Sequence, residues 1–215
     1  WARMFVFNLW PALEAGSDYE TALAQLRGEP ALRAELAEVL DLAMEQAHHV
    51  PGRLEGELAF TPLRTHAQYT REELGAALGY FHAGRLPETL REGVFFVPEI
   101  NTDAFLVTLN KSDTEFTPTT MYRDYAISPR LFHWESQSRT TQESPTGRRY
   151  ITGDSNVLLF VRASKRDDLN GGAPYRLLGQ AQPVDYAGER PIALTYRLQR
   201  EMPADIFAAA SAVTG

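Results

Sequence analysis

The hydrophobic period of this chain changes once, near Gly93, and that change limits the folds open to it. Before Gly93 apolar residues recur at helical spacing; after it they alternate with polar ones. The segments "GVFFVPEI", "DAFLVTLN", "LFHWESQ", "NVLLFVRA", "YRLLGQAQPVDY" and "PIALTYRLQ" are rich in strand formers and bounded by Pro, Gly, Asn and Asp. They predict a mostly antiparallel, twisted sheet or a small β-barrel. "YAGERP", from Tyr186 to Pro191, predicts the turn between the last two strands. In the first part, "SDYE" from Ser17 to Glu20 is a capping box followed by Tyr19, Leu23 and Leu26 at helical spacing. Pro30 opens a second helix with Leu32, Leu36, Val39, Leu40 and Met44 on one face, and "TREE" from Thr70 to Glu73 caps a third. The fold class expected is α+β, with a helical subdomain over residues 1–92 and a β-rich domain over residues 93–215.

A chain of 215 residues, 44% apolar, can bury a core unaided. No apolar run approaches the ~18 residues of a membrane-spanning helix, and the start shows no basic-then-apolar leader. There is no cysteine, and the five histidines never fall at the spacing of a helical zinc pair, so neither a metal nor another cofactor is expected. These features predict a cytoplasmic protein, and a start on Trp1 rather than Met predicts a piece of a longer one.

A net charge of −7 argues against coating nucleic acid by bulk electrostatics. The acid is concentrated early: residues 1–92 hold 8 Arg and Lys against 14 Asp and Glu, and residues 93–215 hold 13 against 14. Between Thr119 and Arg166 the balance reverses, with eight basic residues against four acidic ones.

That basic window contains "TTMYRDYAISPRLFHWESQSRTT", too polar for a core strand and too aromatic for a simple loop. "MYRDYA" sets Asp124 between Tyr122 and Tyr125, so on an irregular segment two rings and one carboxylate can converge. An extruded cytosine needs aromatic faces to stack on and an acceptor for its exocyclic amine. The same residues also suit a plainer role, with both tyrosines in the core and Asp124 capping a turn. On a strand alternating Phe132 and Trp134 against His133 and Glu135, one pair faces the core. Trp134 and Glu135 complete the candidate base pocket, although Trp134 suits the core as well. The polar segment Ser138–Tyr150 is expected to be a loop, with hydroxyls and arginines suited to phosphate oxygens. The candidate backbone contacts are Ser138, Arg139, Thr140, Thr146, Arg148, Arg149, Arg162 and Lys165.

Catalysis is not expected. A restriction-type nuclease wants clustered carboxylates with a lysine, and "HWESQ" offers Gln137 in that place. A nucleophile elbow and a phosphate-binding Gly-Lys loop are both absent from the sequence.

Taken together, "LVTLNKSDTEFTPTTMYRDYAISPRLFHWESQSRTT", "SPTGRRYI", "VLLFVR", "APYRLLGQAQPVDYAGERPIALTYRL" and "MPA" resemble a known bacterial domain. It is the C-terminal domain of unknown function that ends proteins built from a phospholipase-D-like nuclease and a superfamily II helicase. The likeness is dense from Leu106 to Pro203. Members of the SauUSI type are modification-dependent (type IV) restriction enzymes that cut DNA carrying 5-methylcytosine or 5-hydroxymethylcytosine. Their C-terminal domain resembles the SET-and-RING-associated (SRA, PUA-like) base-flipping fold and reads the target. The resemblance implies a reader of modified double-stranded DNA, coupled through its helical part to upstream helicase and nuclease domains that hold the chemistry. The alternative is a protein-interaction module that docks on such a partner without reading bases.

Overall fold

A computed structural model of the chain describes residues 4–6, 19–45, 51–81, 93–109, 124–167 and 171–211. The chain divides into two compact units: Trp1–Leu63 with Tyr69–Arg91, and Arg64–Gln68 with Glu92–Gly215. Arg64–Gln68 belongs to the second unit, although the segments on either side of it in sequence belong to the first.

In the first unit, α1 (Tyr19–Gly28) and α2 (Pro30–Glu45) follow one another with only Glu29 between. The N–H of Arg33 donates to the Glu29 carbonyl as α2 begins at its proline. α1 buries Ala22 and Leu26, whereas Leu32, Val39, Leu40 and Leu42 of α2 are exposed. α3 (Arg71–Ala77) carries the expected capping box: the Glu73 N–H donates to Thr70 Oγ1 at 3.2 Å and the Thr70 N–H to Glu73 Oε2 at 2.8 Å. The short strand β1 (Gly52–Arg53) also belongs to this unit. The earlier capping box at Ser17 lies outside the described residues.

Two more short strands, β2 (Arg64–Thr65) and β3 (Gln68–Tyr69), precede the main ones. These are β4 (Val94–Val97), β5 (Thr102–Thr108), β6 (Tyr125–Ser128), β7 (Leu131–Glu135), β8 (Asn156–Arg162), β9 (Tyr175–Ala187) and β10 (Ala193–Leu198). Their order in the sheet is β4-β5-β8-β9-β10-β7-β6. β5 and β8 are parallel, and every other pair along this order is antiparallel. The sheet is twisted and open: of the two architectures expected, the barrel is not formed. Helix α4 (Pro145–Thr152) runs into β8, and α5 (Ala204–Ser211) follows β10.

Every residue of β5 is buried, as are the five inner residues of β8, so these strands are covered on both faces. β7 alternates, with Phe132 and Trp134 inside and Leu131, His133 and Glu135 half-buried. The Trp134 ring stacks on Phe105 at 4.1 Å, and Tyr150 and Tyr196 meet Phe105 edge-on at 5.2 and 5.5 Å. The Tyr196 hydroxyl donates to the Tyr150 carbonyl, and burial raises its pKa well above the ordinary tyrosine value.

Strand direction sorts the loops into two groups. β5, β6, β8 and β10 begin at one end of the sheet, where β7 and β9 finish. This end, called here the near end, holds Thr102, Tyr125, Glu135, Asn156, Ala187 and Ala193. Thr108, Arg162 and Tyr175 lie at the far end.

Candidate nucleic-acid interface

The near end gathers much of the chemistry singled out in the sequence. Asp124, just ahead of β6, is buried, and its Oδ1 accepts the backbone N–H of Glu135 at 3.1 Å. That bond fixes the carboxylate where β7 ends. Tyr125 and His133 are directly opposed in the β6–β7 ladder, and their rings stack at 4.6 Å. The imidazole also lies 4.0 Å from the Glu135 carboxylate. β6 itself was not expected, because "MYRDYA" reads as irregular: the strand has four residues, of which only Ala126 is buried.

Beyond Glu135 the chain forms a polar turn laced to the β9–β10 turn. The Ser136 N–H donates to the Ile192 carbonyl at 2.9 Å, and the Ile192 N–H donates back to Ser136 Oγ at 2.9 Å. Further along, the Gln142 N–H donates to Glu189 Oε1 at 3.1 Å and Gln142 Nε2 to the Gly188 carbonyl at 2.6 Å. The Thr140 N–H closes the local turn on the Gln137 carbonyl at 2.8 Å.

The second half of the expected loop is helix α4. Ser144 caps it, accepting the Gly147 N–H at 3.0 Å and donating to the Thr141 carbonyl at 2.6 Å, and Pro145 supplies the first turn. Gly147 is buried where a Cβ would sit 2.0 Å from the Thr141 carbonyl oxygen. The loop therefore packs on the helix at a distance only glycine allows.

The eight candidate phosphate contacts separate by environment. Ser138 and Arg139 are exposed at the near end, with Arg139 Nε donating to Gln137 Oε1 at 2.9 Å. Arg148 is exposed and bonded to Glu143. Thr146 is half-buried, and Thr140 is only 8% exposed. Arg149 points inward: Nε donates to Asp103 Oδ2 at 2.7 Å and Nη2 to Oδ1 at 3.0 Å. Its guanidinium also lies 3.8 Å above the Phe96 ring. Asp103 is fully buried and takes a further bond from Ser155 Oγ at 2.6 Å. The bond to Asp103 raises the Arg149 pKa above its ordinary value. Arg149 is thus a structural cation whose donors face the protein.

Arg162 and Lys165 belong to the far end. Arg162 donates to Thr108 Oγ1 at 3.0 Å and to the Ala173 carbonyl at 3.2 Å, and lies over the Tyr175 ring. Neither residue shares a surface with Asp124 across the sheet. Trp134, carried as a pocket residue, is in the core, because its strand turns Phe132 and Trp134 to the packed face. Tyr122 lies outside the described residues.

An open, mostly antiparallel, twisted sheet with a polar, arginine-bearing end and helices before and after it in sequence makes this an α+β protein. Residues 63–210 match the family described as Domain of unknown function (DUF3427), and the chain belongs to it. None of the curated proteins matches the chain. Among the described residues no helix is long and apolar enough to cross a membrane.

Proposed function

We propose that the chain is the target-recognition part of a modification-dependent restriction system, binding double-stranded DNA that carries 5-methylcytosine or 5-hydroxymethylcytosine. The observation that carries this reading is convergence. The Asp124–Tyr125 pair and the hydroxyl- and arginine-bearing segment Ser138–Arg148 meet at one end of one sheet, through the bonds at Glu135 and Ser136. On this reading Tyr125, with one face on His133, offers its other face to an extruded base. Asp124 accepts the base's exocyclic amine, and Ser138, Arg139 and Arg148 hold the backbone. Coupling to an upstream helicase and nuclease falls to the first unit, where α2 exposes four apolar side chains beside Glu35, Glu38 and Asp41.

Asp124→Asn is the sharpest test, because the amide oxygen can keep the bond to the Glu135 N–H while the NH₂ group replaces the second carboxylate oxygen. A donor would then meet the cytosine amine. Fluorescence anisotropy with matched plain, methylated and hydroxymethylated duplexes should show several-fold preference for the modified sites in the parent protein. Cytosine discrimination should fall by about 1–3 kcal/mol in the variant, the usual worth of one base-edge contact. Equal affinity of the parent for all three duplexes would sink the reading. The exposed face of α2 favours a second reading, a docking module alone. That reading predicts no duplex binding even at low salt, together with co-elution with the parent helicase.

A further inference from the structure

We infer that the β9–β10 turn is a third component of this interface and that Arg190 is its phosphate-binding cation. The inference rests on the DNA-reading function proposed above and adds to it a residue that the sequence marks only as part of a turn. Ser136 and Ile192 are joined by two hydrogen bonds, one between backbones and one to the Ser136 hydroxyl, so the segment after Ser136 and the turn before Ile192, which carries Arg190, leave the sheet at the same end. The two bonds from Gln142 to Gly188 and Glu189 tie the other side of the turn to the same loop. Gly188 makes the turn possible: its φ is +74°, and a Cβ would meet the Pro191 carbonyl at 3.1 Å.

Charge then singles out Arg190. Arg149 is spent on Asp103, and Arg148 and Arg139, the backbone contacts proposed above, each share a donor with a neighbouring side chain, Glu143 and Gln137. Arg190 is exposed and makes no hydrogen bond or ion pair among the described residues. The neighbouring carboxylate of Glu189 is engaged by the Gln142 N–H. A guanidinium on a braced turn, with no donor engaged among the described residues, is suited to a phosphate group, which it can grip with two parallel bonds. Such a contact carries no base information.

The test compares Arg190→Ala with Arg197→Ala in the 215-residue chain, by anisotropy on plain and methylated duplexes over a salt series. Arg197 is exposed toward the opposite end of β10, paired with Leu131, and serves as the control. Arg190→Ala should weaken both duplexes equally, by about three- to tenfold, and lower the slope of log affinity against log salt by about 0.9. Arg197→Ala should change neither. Parent-like binding by Arg190→Ala overturns the inference and leaves the DNA reading standing. Loss of the methylation preference alone would make Arg190 a base reader and also overturn it. A fall in the urea midpoint matching the affinity loss would reduce Arg190 to a structural role. If the parent binds neither duplex, the reading falls and this inference with it.

Discussion

Arg148 and Arg149 are neighbours in sequence with opposite fates. Arg149 compensates a carboxylate that has no solvent exposure, so Arg149→Ala should lower stability by about 3 kcal/mol in urea unfolding, the lower range for breaking a buried pair. Arg148→Ala removes an exposed pair and should cost under about 0.5 kcal/mol. No local pattern separates the two, because the deciding partner, Asp103, is 46 residues away. The choice between Trp134 and His133 was half legible: alternation shows that they face opposite ways, but only the position of Phe105 decides which way is inward. Tyr196 gives a pH test. Its folded pKa is raised by burial, so above about pH 10 the unfolded chain releases a proton that the folded chain keeps. Stability is therefore fully present below that pH and declines as pH rises through the folded value. Tyr196→Phe should flatten this alkaline decline in a pH series of thermal unfolding, at a cost of about 1 kcal/mol near neutrality for the lost hydrogen bond.

Among the elements, those with long apolar alternation were legible: β4, β5, β7, β8, β9 and β10 all fall on segments read as strands. β6 and α4 were not. β6 is an edge strand that buries only Ala126, so it shows no apolar alternation. α4 is polar on most of its surface and buries only Gly147 and Tyr150, so its apolar signal is nearly absent. Its start was nonetheless written in Ser144-Pro145, a cap residue followed by a first-turn proline. α4 also depends on one close approach. Gly147→Ala would force the Thr141 carbonyl away, costing about 1–3 kcal/mol and shifting the loop that carries Ser138 and Arg139. On the proposed function, DNA affinity should fall along with the unfolding midpoint. Gly28→Ala, at the end of α1 with no atom within 4 Å of the new Cβ, should leave binding intact and raise stability by about 0.5 kcal/mol.

For the whole molecule, the two-ended sheet explains why a window with a basic excess in sequence is not one basic patch in space. Arg139, Arg148 and Arg190 gather toward one end, while Arg162 and Lys165 lie at the other, and only strand register reveals this. With β5 and the interior of β8 wholly buried, hydrogen–deuterium exchange should be slowest in those strands and faster in β6, an edge with one buried residue. Comparable protection in all three would contradict the sheet order described. The parallel pairing of β5 with β8 has an effect in time as well. The chain leaves β5 at the far end and must return to the near end before β8 can pair, and β6, β7 and α4 are all made during that excursion. The hairpin of β6 and β7 needs only its own neighbours, but the turn that braces it at Ser136 and Gln142 comes from residues 188–192, made well after both strands. A ribosome that has delivered residues up to Ala187 has thus released the aromatic and the carboxylate but not their clamp. On the proposed function, recognition is therefore completed only when residues 188–192 are in place, and a chain ending before them would have no partly functional grip on DNA.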